Sequence, residues 1–140
     1  MAKAPTKSKK KSTRTKSPKK TFGYVDGFIL PIPRKSIPEY KKMAKVAAKV
    51  WLDHGAIDYV ECAADDVKDG DLTSFPQSVK LKKGEVVFFS WVTYKSRTDR
   101  DRIMKKVMTD PRLEAYSDPS KMPFDGMRMF WGGFKPIVKV

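Results

Sequence analysis

The ten residues from Glu85 to Tyr94 set the tightest constraint on what this chain can fold into. Val87, Phe89 and Trp91 alternate there with Val86, Phe88 and Val92. A strand of that pattern is apolar on both faces, so it belongs to a sheet that must be covered on both. The segment Phe22–Pro31 has the same character: Val25 and Ile29 alternate with Tyr24, Phe28 and Leu30. It reads as a strand closed by Pro31 and Pro33.

Between these strands, Ser36-Ile-Pro-Glu39 has the form of a capping box with proline in the first turn. The helix it opens carries Tyr40, Met43, Ala44, Ala47, Val50 and Trp51 at helical spacing, and His54-Gly55 ends it. Ala56 to Ala63 reads as a second strand, and Asp65 to Ser78 as a long loop. Ser96-Arg-Thr-Asp99 caps a second helix that turns Ile103, Met104, Val107 and Met108 inward. Asp110-Pro111 begins a short helical turn, Asp118–Gly126 is a loop, and Arg128–Ile137 is the last strand.

The order β-α-β-β-α-β predicts an α+β fold of the ferredoxin-like kind. Its two helices cover one sheet face only, and a second copy is the simplest cover for the other. Two sheets packed in this way form a dimeric α/β barrel with a shared interior. The alternative is cover by the chain's own loops, Asp65–Ser78 and Asp118–Gly126.

Charge separates the chain into two parts. Residues 1–20 hold nine basic side chains and no acid, among them Lys9, Lys10, Lys11, Arg14, Lys16, Lys19 and Lys20. Residues 1–21 are expected to be a disordered basic tail, because nothing in them buries apolar surface. Ser17-Pro18-Lys19-Lys20 matches a pattern of DNA minor-groove tails, so non-specific nucleic acid is a candidate partner. Residues 22–140 form the domain, and they are only mildly basic. One cysteine, Cys62, excludes an internal disulfide and fits a reducing, cytoplasmic location. No apolar run approaches the ~20 residues of a membrane span, and the basic start, with no hydrophobic region after it, is not expected to be a secretory signal.

The runs Tyr24-Val-Asp-Gly-Phe28, His54-Gly-Ala-Ile-Asp-Tyr-Val-Glu-Cys62, Val87-Phe-Phe-Ser-Trp91, Val107-Met-Thr-Asp-Pro-Arg112 and Met122-Pro-Phe-Asp-Gly126, with Gly132-Gly-Phe134, resemble the YbaA-like family. The resemblance spans nearly all of residues 22–138. It implies the dimeric α/β-barrel fold and supplies no catalytic residues. Members often carry His-Arg-Asp at the start of the second helix and an asparagine further along. Here those positions are Asp99-Arg100-Asp101 and Met104, so any role of that histidine is absent.

The chemistry-bearing candidates are polar residues set within apolar strands. Asp26 and Glu61 are the candidates for acid–base work, since a buried carboxyl must be paired or protonated. A first strand lying between the third and the second would let Asp26 meet Ser90 or Glu61. Tyr59, Ser90, Trp91, Tyr94, Arg128 and Trp131 are candidates for the walls of a small-molecule cavity at the sheet and dimer interface. Arg128 is placed to neutralise an outer carboxylate. His54, the single histidine, suits a helix-end cap better than a general base or haem ligand. Cys62 reads as a small hydrophobe. Asp65–Asp71 lacks ligands where a calcium loop needs them, with Val67 and Pro76 at those positions, so neither metal nor cofactor is expected.

Overall fold

The computed structural model describes residues 21–140. The expectations for the basic segment, from Lys9 to Lys20, lie outside the described residues. The fold is α+β: four strands in one antiparallel sheet, with helices packed against it. The strands are β1 (Tyr24–Pro33), β2 (Asp58–Ala63), β3 (Glu85–Tyr94) and β4 (Phe130–Phe134). The helices are α1 (Ile37–Asp53), the four-residue α2 (Phe75–Ser78) and α3 (Arg97–Met108). Among the described residues no helix is long and apolar enough to cross a membrane.

The sheet order is β2-β3-β1-β4. This corrects the expected pairing, which set β1 beside β2. The most apolar strand, β3, takes the position between β1 and β2, and β2 becomes an edge. Asp26 therefore lies opposite Val92 and Gly133, while Glu61 lies opposite Ser90.

One sheet face carries Tyr24, Leu30 and Ile32 of β1 with Val86, Phe88, Val92 and Tyr94 of β3. Two buried clusters form there. Val50 of α1 packs with Ile103 and Val107 of α3, and Tyr40 and Ala44 of α1 pack with Phe88 and Phe124. Each fully buried aliphatic side chain contributes about 1.5–3 kcal/mol. Met108, expected inward, is instead exposed, because α3 ends there and the chain turns away.

Among the described residues the opposite face is covered at one end only. Val79 is buried, Phe75 of α2 lies 6.0 Å from Phe89, and Pro31 and Val87 are buried beside this cover. Phe89, Phe130 and Phe134 remain 46%, 47% and 65% exposed. Of the two loops considered as cover, the first, which includes α2, reaches this face in part. The second delivers Phe124 to the helix side.

Local chemistry explains the other departures. β1 continues through Pro31 and Pro33 instead of closing at them. β4 pairs only with Val25–Ile29, so both prolines lie where β1 has a single neighbour and a missing N–H is tolerated. Ser36 makes no side-chain cap: a 3-10 turn over Arg34–Ser36 leaves it at φ −96°, ψ 0°, outside the extended region a cap requires. Ser96, at φ −158°, does accept the Asp99 N–H. Gly55, at φ +119°, supplies the left-handed turn that ends α1. The last strand begins at Phe130, and Arg128 belongs to the preceding 3-10 turn.

Candidate functional site

A cavity of about 630 Å³ opens on the helix-covered side of the sheet, inside a single chain. The expected cavity lay at the sheet and dimer interface; this one is on the other face. Its floor is the central sheet, its sides are α1 and α3, and its outer wall is the 3-10 segment Pro111–Tyr116 with Met122 and Phe124. Aromatic rings and thioethers dominate it: Tyr40, Trp51, Tyr59 and Trp131 stand with Met43, Met104, Met108, Met122 and Met129. Trp51 and Tyr59 are 5.6 Å apart, and Tyr40 stands edge-on to Phe124 at 5.6 Å.

Glu61 is the carboxyl on this floor. Strand alternation puts it on the helix side, where Tyr40 donates to Oε1 at 2.8 Å and Tyr59 donates to Oε2 at 3.0 Å. Ser90, opposite it on β3, also bonds the carboxyl. Burial nevertheless wins, and Glu61 is held above the ordinary glutamate range despite three hydroxyl donors. The same burial, with the neighbouring carboxyl, pushes the Tyr40 and Tyr59 hydroxyls up, so both stay protonated donors.

The sign of the Glu61 shift gives a prediction. A carboxyl raised on folding stabilises the fold below its unfolded value, and that contribution is lost as pH rises through the raised value. Glu61→Gln should therefore flatten stability against pH over the window just above the ordinary glutamate range. Urea melts at stepped pH read this directly, and an unchanged slope would refute it.

Asp26 sits apart from the cavity in a second polar group behind Trp131. It is fully buried; Tyr94 donates to Oδ2 at 3.0 Å, and Arg100 Nη1 lies 3.3 Å from Oδ1. Trp51 donates to the Tyr94 hydroxyl at 3.0 Å. The Arg100 guanidinium lies 5.0 Å over the Tyr24 ring and 5.9 Å from Trp131. Desolvation raises Asp26 above the usual carboxylate range, outweighing Tyr94 and Arg100. Asp26 thus meets neither Ser90 nor Glu61.

The other candidates fall into place as follows. Tyr59, Ser90 and Trp131 line the cavity, and Tyr94 is buried behind it. Trp91 borders the cavity as part of β3, while its ring packs 5.5 Å from Phe89 on the opposite face. Arg128 does not line the cavity; it binds Glu85 at 2.6 Å and Asp125 at 3.0 Å and donates to the Val79 and Lys80 carbonyls. It thus neutralises outer carboxylates and ties the segment before β3 to the turn before β4. His54, at the end of α1, pairs with Asp110 at 2.8 Å, and Arg112 holds that carboxyl well below its usual range. Cys62 is half-buried on β2, on the face away from the helices. Among the described residues no three His, Cys, Asp or Glu side chains group as a metal site.

Two residues central to these clusters were missed at the level of sequence. Tyr40 reads as one more apolar stripe position, yet it carries the one hydroxyl on that stripe. Arg100 reads as part of a charged helix start, and nothing local signals that it turns inward.

A family model described as "Protein of unknown function (DUF1428)" matches residues 23–126. The "Uncharacterized protein YbaA" of Escherichia coli K12 is 44% identical over 115 residues, covering 82% of this chain and 97% of that protein. The protein of the same name from Shigella flexneri matches to the same extent. On the strength of the family model and of these relatives, the chain belongs to the YbaA-like family.

Proposed function

We propose that the protein binds a small, largely apolar molecule in the helix-side cavity, with Glu61 as its polar anchor. The observation that carries this reading is one carboxyl, held by two tyrosines, on the floor of an aromatic and methionine-lined space of about 630 Å³. Pockets for small molecules have this composition: apolar walls and a few convergent polar groups. Methionine adds adaptability, because its thioether chain reshapes around different ligands. Acid–base conversion of the bound molecule would fall to Glu61, which alone among the two carboxyl candidates reaches the cavity.

The working unit in this proposal is a homodimer of ferredoxin-like domains, paired through the exposed face that bears Phe89, Phe130 and Phe134. The strand order β2-β3-β1-β4 and the position of both long helices on one face support that reading.

Titration calorimetry with 1-naphthalenemethanol tests the cavity. One site per chain is expected, and Leu113→Trp in the outer wall should remove it while the thermal melt is kept. Binding that ignores this substitution, or no binding at all, would defeat the proposal.

A further inference from the structure

The charged residues that line the cavity are all acidic. Its lining includes Glu61, Asp110 and Glu114 and, among the described residues, no lysine, arginine or histidine. This is notable in a chain whose formal net charge is +14. Asp110 is already satisfied, by Arg112 at 2.8 Å and His54 at 2.8 Å. Asp26, behind the wall, has Arg100. Glu85 and Asp125 share Arg128, and Asp53 has Arg112. Glu61 differs: hydroxyls are its partners, and it makes no ion pair among the described residues.

A carboxylate shielded from water without a counter-charge is costly, and a ligand that brings the charge relieves that cost. The rings beside Glu61 act in the same direction. Tyr40, Tyr59 and Trp51 are among the residues that line the cavity, and an aromatic face attracts a cation by about 0.5–2 kcal/mol. An anionic ligand would meet Glu61 and the rim carboxylate of Glu114 with no compensating base.

We infer that the cavity takes a hydrophobic organic cation, an apolar body bearing one amine or quaternary ammonium group, with the cation seated against Glu61 between Tyr40 and Tyr59. The inference rests on the binding role proposed above and names the ligand class for that site. Glu61 is the residue that sets its specificity. The charged groups facing it are few: Glu114 at the rim, the Asp110–Arg112–His54 set beyond it, and Arg100 screened by Trp131 and paired with Asp26.

The test compares three probes of one shape by calorimetry on the full chain: 1-naphthylmethylamine, 1-naphthalenemethanol and 1-naphthoate. The amine should bind about tenfold or more tightly than the alcohol, and the acid most weakly. Net charge alone predicts the reverse order, so this ranking cannot come from bulk attraction. Glu61→Gln should erase the amine's advantage, so that amine and alcohol bind with equal affinity. Amine affinity in the unsubstituted protein should also fall as pH drops through the raised Glu61 value, and stay flat in the Gln variant. Equal binding of amine and alcohol, or preference for the acid, overturns the cation inference and leaves the cavity reading standing. No binding by any of the three overturns both.

Discussion

Replacing Arg100 with alanine is expected to cost about 3–5 kcal/mol at neutral pH, the largest effect of any single substitution outside the apolar core. Asp26 is fully buried and the Arg100 side chain is 12% exposed, so truncation leaves a carboxyl in a dry site with Tyr94 as its remaining side-chain donor. The loss should depend on pH in a definite sense. Asp26 already titrates above its usual range because burial outweighs its partners, and removing the guanidinium raises it further. A carboxyl raised on folding stabilises below its unfolded value and loses that contribution as pH rises. The gap between variant and parent should therefore be small in acid and widen toward neutrality. The double change Asp26→Asn with Arg100→Met should recover part of the loss, since the buried charge is removed with its partner. Chemical denaturation across pH measures all three proteins. A gap below about 1 kcal/mol at neutral pH, or one that does not change with pH, would refute the buried-pair account.

The second large effect concerns assembly. Phe89→Lys with Phe130→Lys should convert the proposed dimer into a monomer of 16.0 kDa with an intact fold. Both positions sit on the exposed face, so neither change disturbs the helix-side core. In a symmetric pair each substitution is buried twice, and an anchor residue lost from an interface costs about 2–4 kcal/mol. Light scattering on the full chain reads the mass, and circular dichroism confirms the fold. An unsubstituted protein that is itself monomeric at micromolar concentration would end the dimer proposal.

Particular residues show what the sequence discloses. The alternation in Glu85–Tyr94 reveals both the strand and its two apolar faces, because strand parity depends on neighbouring positions alone. The same parity marks Glu61 and Ser90 as polar intrusions on the helix side. Strand order is another matter. Whether β1 or β3 is the neighbour of β2 depends on which apolar strand is buried from both edges, and no local pattern encodes it. A first strand between the third and the second would let Asp26 meet Ser90 or Glu61, whereas its partners are Tyr94 on β3 and Arg100 on α3. Arg100 sits on a helix whose other charges face water, and its inward turn follows from Asp26, 74 positions earlier. The cavity was legible as aromatic and polar residues within strands, but its methionine wall comes from four separate segments. Met122 and Met129 flank a turn whose side of the sheet is a tertiary fact. Arg128 reads as a neutralising group, and it holds Glu85 outside the cavity lining, because it belongs to the turn before the last strand.

β3 presents Ser90 and Val92 to the cavity, and Phe89 and Trp91 to the opposite face. In the proposed dimer, a single layer of backbone would separate a bound molecule from a second copy. If both proposals hold, occupancy and assembly are linked quantities: whatever free energy the ligand contributes to pairing, pairing returns to the ligand in equal measure. Affinity measured on a dilute protein and affinity measured on a concentrated one need not agree, and their difference would report the coupling across one strand.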